Sequence, residues 1–94
     1  MEKYEFVEDP GHGWLAVSVE EIRSLGIADN ITPYSYHDAA KGVVWLEEDC
    51  DAAVFLRAKT DGTIAAMRDW FGSNVNVRYE ERTRIRNLPS FTGA

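Results

Sequence analysis

The sequence predicts a single α+β domain over residues 1–94: an antiparallel sheet of about five strands with two or three short helices on one face. Three observations point there. Two-residue alternation of apolar and polar side chains marks both ends of the chain, and helix-start signals fall between without a regular strand-helix-strand rhythm. A composition of 45% hydrophobic and 12% aromatic residues supplies the core.

The first strand is expected at Lys3–Glu8, where Tyr4 and Phe6 share one face. Asp9-Pro10-Gly11-His12-Gly13 is the strongest turn signal, because proline fixes φ and the glycines tolerate positive φ, so a hairpin should lead into Trp14–Val17. Ser18-Val19-Glu20-Glu21 has the S-x-x-E capping pattern and predicts a helix over Val19–Leu25, closed by Gly26 and stapled by Val17 and Ile22. Ile31–Tyr36 reads as a strand in which Pro33, unable to donate to a ladder, marks an edge or the strand's beginning.

The centre of the core is expected at Gly42–Ala58. Val43, Val44, Trp45 and Leu46 form a continuous β-prone run that suits an interior strand. Glu47, Glu48, Asp49 and Asp51 then crowd four carboxylates into five positions. Asp49 or Asp51 is expected to cap the following helix, Ala52–Ala58, with Cys50 and Phe55 as a staple if Asp51 is the cap. A further helix is predicted over Thr63–Phe71, with Ile64, Met67 and Phe71 on one side and Gly72 ending it.

Asn74–Arg86 alternates again and predicts one long strand, with Val75, Val77, Tyr79 and Ile85 on one face and Arg78, Arg82, Arg84 and Arg86 as an arginine ladder on the other. Residues 88–94 lack periodicity, so this tail should either dock through Leu88 and Phe91 or fray.

The net charge of −6 is uneven: residues 1–61 carry 13 acidic and 5 basic side chains, residues 62–94 only 3 and 5. An acidic body repels nucleic acid and favours basic protein surfaces. The single cysteine fits a reducing compartment, and the acidic N-terminus lacks the pattern of a secretion signal, so a cytoplasmic protein is expected. No apolar run approaches the ~20 residues that span a bilayer.

The stretches Gly11-His12-Gly13-Trp14-Leu15, Leu25-Gly26-Ile27-Ala28-Asp29, Tyr34-Ser35-Tyr36 and Leu46-Glu47-Glu48-Asp49-Cys50-Asp51-Ala52 resemble those of small bacteriophage and prophage proteins of unassigned activity. The resemblance covers residues 4–58 and, more loosely, the arginine-rich segment ending at Pro89. It implies a mobile-element origin and, by analogy, an inhibitor of a host defence system of the anti-CRISPR type. It assigns no functional residues.

The expected function is therefore non-enzymatic binding of a host or phage protein, by a monomer or homodimer, with no cofactor. Glu20, Glu21, Asp29, Asp38, Glu47, Glu48, Asp49 and Asp51 are the candidate contacts to a basic surface. For the acidic turn, the competing expectation is structural, a helix cap paired with Arg78, Arg82 or Arg84. Other chemistries have weaker patterns. His12, His37 and Cys50 lack metal-ligand spacing, so no metal site is expected, and a Cys50–His37 nucleophile pair would be opposed by the adjacent carboxylates. A Glu47/Asp49 acid-base pair would need two environments over one cleft. The arginine ladder could hold phosphates, but it lies beside Glu80 and Glu81. Tyr34 and Tyr36 are expected on one strand face near Trp14 or Trp45, as sheet surface or, if exposed, as an interface.

Overall fold

A computed structural model describes residues 3–92. The chain runs β1 (Tyr4–Glu8), β2 (Gly13–Ser18), α1 (Val19–Ser24), β3 (Tyr36–Asp38), β4 (Val43–Glu47), α2 (Asp51–Lys59), α3 (Ile64–Asn74) and β5 (Val75–Tyr79), with 3-10 turns at Ala28–Asn30 and Ile85–Asn87. The five strands form one sheet in the order β3-β4-β2-β1-β5. It is an α+β fold, as the sequence predicts, with one difference in pairing. Three strand pairs are antiparallel, but β5 runs parallel to β1, with Tyr4 opposite Val75 and Glu8 opposite Tyr79. The reason is that α3 passes into β5 without a loop and delivers the chain to the end of the sheet where β1 begins.

The helices pack on one face. Phe6, Leu15, Val17, Val44, Leu46 and Val75 project from the strands to meet Ile22 of α1 and Phe55 of α2, with Trp70 and Phe71 of α3 at the margin. Leu15, Ile22 and Phe55 are fully buried, and each contributes roughly 1.5–3 kcal/mol of transfer free energy. Ser18 caps α1 by accepting from the Glu21 amide at 3.1 Å, as its capping pattern predicts, while the Glu21 carboxylate turns to the Tyr4 hydroxyl and to Lys59, both 2.8 Å away. Thr63 caps α3 in the same way through the Ala66 amide.

Several boundaries depart from expectation. Gly72 lies inside α3 rather than ending it. The strand expected at Ile31–Tyr36 forms only from Tyr36, because Ile31–Ser35 is held as a loop by Asp51. Asp51 is the first residue of α2 and not its cap, and Cys50, next to it, is exposed instead of forming a staple with Phe55. Its neighbour strand β4 is interior, although β2 is the middle strand.

The largest departure is at the C-terminus. The long arginine strand stops at Tyr79, and residues 80–92 form a strap across the helix-free face. Ile85 packs there with Val7 and Trp14, bordered by Tyr36 and Trp45. The strap then reaches the far edge of the sheet, where Ser90 bridges Tyr36, the His37 amide donates to Pro89 and the Phe91 amide donates to Ser35. Phe91 is 2% exposed and joins the helix-side core, so of the two fates expected for the tail, docking is the one observed for residues up to 92. Gly93 and Ala94, the rest of that tail, lie outside the described residues.

Candidate binding cleft on the helix-free face

Beside the strap the helix-free face carries a cleft of about 460 Å³ lined by His12, Trp14, Tyr34, Tyr36, Glu47, Asp49, Cys50 and Arg86. Four stretches of sequence converge on it, and each is fixed by local chemistry. The Asp9–Gly13 turn is closed by the Asp9 carboxylate, which accepts from the Gly11 and His12 amides at 2.9 and 2.8 Å. Gly13 has to lack a side chain, since a Cβ there would stand 2.5 Å from Cζ of Phe6. Trp14 follows at the start of β2, its ring 5.9 Å from His12 and 6.3 Å from Tyr36.

Tyr34 and Tyr36 are placed by Asp51. This carboxylate is fully buried and accepts from the Thr32 amide, the Thr32 hydroxyl and the Ser35 hydroxyl. Ser35 in turn accepts from the Glu47 amide at 3.0 Å, which ties the tyrosine loop to the end of β4. Tyr34 is left 72% exposed at the rim.

The acidic turn forms the third wall. Glu47 accepts from the Asp49 and Cys50 amides at 2.9 and 2.7 Å, so it does the work at the start of α2 that Asp49 or Asp51 was expected to do. Asp49 remains exposed at the cleft. Glu48 points the other way, toward Phe6 and the groove between α2 and α3, and burial together with Asp49, Glu47 and Glu8 raises its pKa.

Arg86 of the strap closes the fourth side. Its guanidinium forks onto Asp9 with contacts of 2.8 and 2.9 Å and lies 5.4 Å from the centre of the Trp14 ring. This pairing, with the two turn amides, holds the Asp9 carboxyl well below the usual carboxylate range. Arg86 and Asp9 neutralise each other, so Glu47 and Asp49 give the cleft a net negative potential against aromatic walls.

The eight acidic residues singled out in the sequence do not form one patch. Glu47 and Asp49 line the cleft. Glu21 is paired with Lys59, and Glu20 borders a separate hollow beside α1. Asp29 is exposed in the 3-10 turn, and Asp38 lies in a hollow with Trp45, Arg78, Arg82 and Arg84. Asp51 is corrected outright: a fully buried carboxylate that holds three donors is no surface contact. The expected pairing of the acidic turn with Arg78, Arg82 or Arg84 is also absent among the described ion pairs; Arg78 lies 2.9 Å from Glu5 and from Glu80. The ladder itself does not form, because Arg82 and Arg84 follow the end of β5.

His37 packs edge-on against Phe91 and does not line the cleft with Cys50. Among the described residues, no three His, Cys, Asp or Glu side chains are grouped to hold a metal ion, and no helix is long and apolar enough to cross a membrane. Sequence reasoning missed His12 and Arg86 as cleft residues. The alternation that placed Arg86 on a ladder is broken by the run Glu80-Glu81-Arg82-Thr83-Arg84, five polar residues that signal the end of a strand. Compared with known protein families, curated proteins and solved structures, the chain matches none.

Proposed function

We propose that the protein is a non-enzymatic binding module that takes a basic segment of a partner protein into the cleft of the helix-free face. The observation that carries this reading is the convergence of Trp14, Tyr34 and Tyr36 with Glu47 and Asp49 around one open hollow. A lysine or arginine side chain suits it twice over, through attraction to the carboxylates and through contact with aromatic faces. Tyrosine is enriched among the residues that dominate binding in typical interfaces, and Tyr34 offers an exposed ring at the rim, while Trp14 forms the buried floor beneath Arg86.

The acidic first two thirds of the chain would then occlude a surface whose basic residues otherwise hold nucleic-acid phosphates. The resemblance to phage proteins makes a bacterial defence effector, such as a CRISPR nuclease complex, the class of partner to test, and the host cytoplasm the place of action. A phosphate-binding role for the arginines is less favoured, because Arg78 and Arg86 already face carboxylates.

Titration of the isotope-labelled protein with an arginine-rich peptide tests the reading. Shifts should concentrate at the Trp14 indole and the Tyr34, Tyr36 and Asp49 resonances, and weaken as salt is raised. Tyr34→Ala and Asp49→Asn should each weaken binding roughly five- to tenfold without altering the fold. Shifts confined to α1, or tight binding of an oligonucleotide in place of the peptide, would sink it.

A further inference from the structure

The two edges of the sheet are treated differently. The β3 edge is occupied by the strap, whereas no strand pairs with the outer side of β5 among the described residues. The Glu80 amide donates inward to Glu8, so by strand alternation Asn76, Arg78 and Glu80 aim their main-chain groups at β1. Val77 and Tyr79 then aim theirs outward, as does the Val75 carbonyl, while the Val75 amide donates to the Phe71 carbonyl at the end of α3. Val77 and Tyr79 also leave apolar side chains 52% and 57% exposed, on the face that β5 shares with the helices.

We infer that β5 is a self-pairing edge, at which a second copy of this chain adds its own β5 antiparallel about a two-fold axis at Val77. The register follows from the outward groups. With Val77 opposite its counterpart, Val75 faces Tyr79 of the other copy, and because the Val75 amide is already taken by the Phe71 carbonyl, about four main-chain hydrogen bonds join the strands. Exposed Val77 side chains meet across the axis, and each Arg78 falls opposite an Asn76. Moving the register by two residues one way sets Arg78 against Arg78, a like-charge pair that opposes it, and the other way leaves Tyr79 without a strand partner. β5 holds no proline or lysine and no segment among the described residues pairs with its outer side, which are the usual devices against such pairing. The result is one continuous ten-stranded sheet across the dimer.

The contact is small, so a weak dimer with a midpoint on the order of 100 µM is expected. Sedimentation velocity over a concentration series reads it directly. Val77→Pro should weaken association at least tenfold while preserving the monomer, because proline removes only the outward amide and edge strands tolerate it. Val77→Lys serves the same purpose if the proline variant does not fold. In a Cys50→Ser background, Val77→Cys should give a disulfide-linked dimer on mild oxidation, since directly opposed residues lie about 5.5 Å apart, within disulfide reach. Asn76→Cys should not, as position 76 faces Arg78 rather than itself. A monomer at about 1 mM, or a dimer that neither Val77 variant weakens, overturns the inference. So does cross-linking of the position-76 variant in place of the position-77 one.

Discussion

The two outer strands of the sheet, β3 and β5, show what local sequence can and cannot do for an exposed edge. Strand β3 is three residues long and would be a poor element alone, yet it is held on both sides: by β4 through ladder pairs and by the strap through Ser90, Pro89 and Phe91. Strand β5 is longer and carries β-prone Val75, Val77 and Tyr79, yet only Val75 is buried. A strand's hydrophobicity therefore does not decide whether its edge is covered. Here the cover comes from a segment more than forty residues away in sequence, and it serves the weaker strand.

The largest way to break this contrast is at Asp51, which holds the loop that delivers β3. Asp51→Ala leaves the Thr32 amide, the Thr32 hydroxyl and the Ser35 hydroxyl without their acceptor at a buried site, and is expected to cost about 4 kcal/mol in urea unfolding. Its signature is faster amide exchange at residues 32–37 than in β5.

Next is the strap's anchor. Phe91→Ala should cost about 3 kcal/mol, as for other buried phenylalanines, and should expose the β3 edge, so that His37 loses exchange protection. If stability falls while His37 stays protected, the strap's main-chain bonds hold without the ring.

A smaller effect is expected where the strap crosses the sheet. Asp9→Ala removes two amide contacts within the turn as well as the fork to Arg86, and should cost about 2 kcal/mol at neutral pH. The folded pKa of Asp9 is depressed, so its contribution is whole above its ordinary value near 4 and fades as pH falls through the folded value. Thermal melts of wild type and variant should therefore separate at pH 7 and converge in strong acid.

The smallest effect comes at a site tied to neither edge. Glu48 has a raised folded pKa, so its charged form is slightly penalised at neutral pH, and the penalty lifts as pH drops through that value. Glu48→Gln should stabilise by no more than about 0.5 kcal/mol after solvent screening, at pH 7 and not below about pH 4. A loss of stability on this change would instead mark Glu48 as a structural partner of the β2 start, where its amide meets Gly13.

Much of the architecture was legible in the residues. Ser18 acts as the cap of α1 and the Asp9–Gly13 turn joins a hairpin, because each of these depends on neighbours in sequence. The cap of α3, by contrast, is Thr63, which was expected inside the helix, and Tyr34 and Tyr36 reach Trp14 through the loop that Asp51 holds. The roles within the acidic turn were not legible. Glu47, Asp49 and Asp51 are chemically alike, and only the position of the Thr32–Ser35 loop made Asp51 the buried one and left Asp49 at the surface.

What the sequence determined by itself is the content of the fold: strands by alternation, helix starts by capping groups, and an acidic body with few bases. What only the tertiary structure decided is which distant pieces meet. The parallel pairing of β1 with β5, the strap that converts an expected strand into a cover, and the clasp of Arg86 on Asp9 all join residues more than about fifty positions apart. Such contacts arise because the loop-closure entropy of a long segment is repaid only once the core is assembled, and no local pattern encodes that exchange.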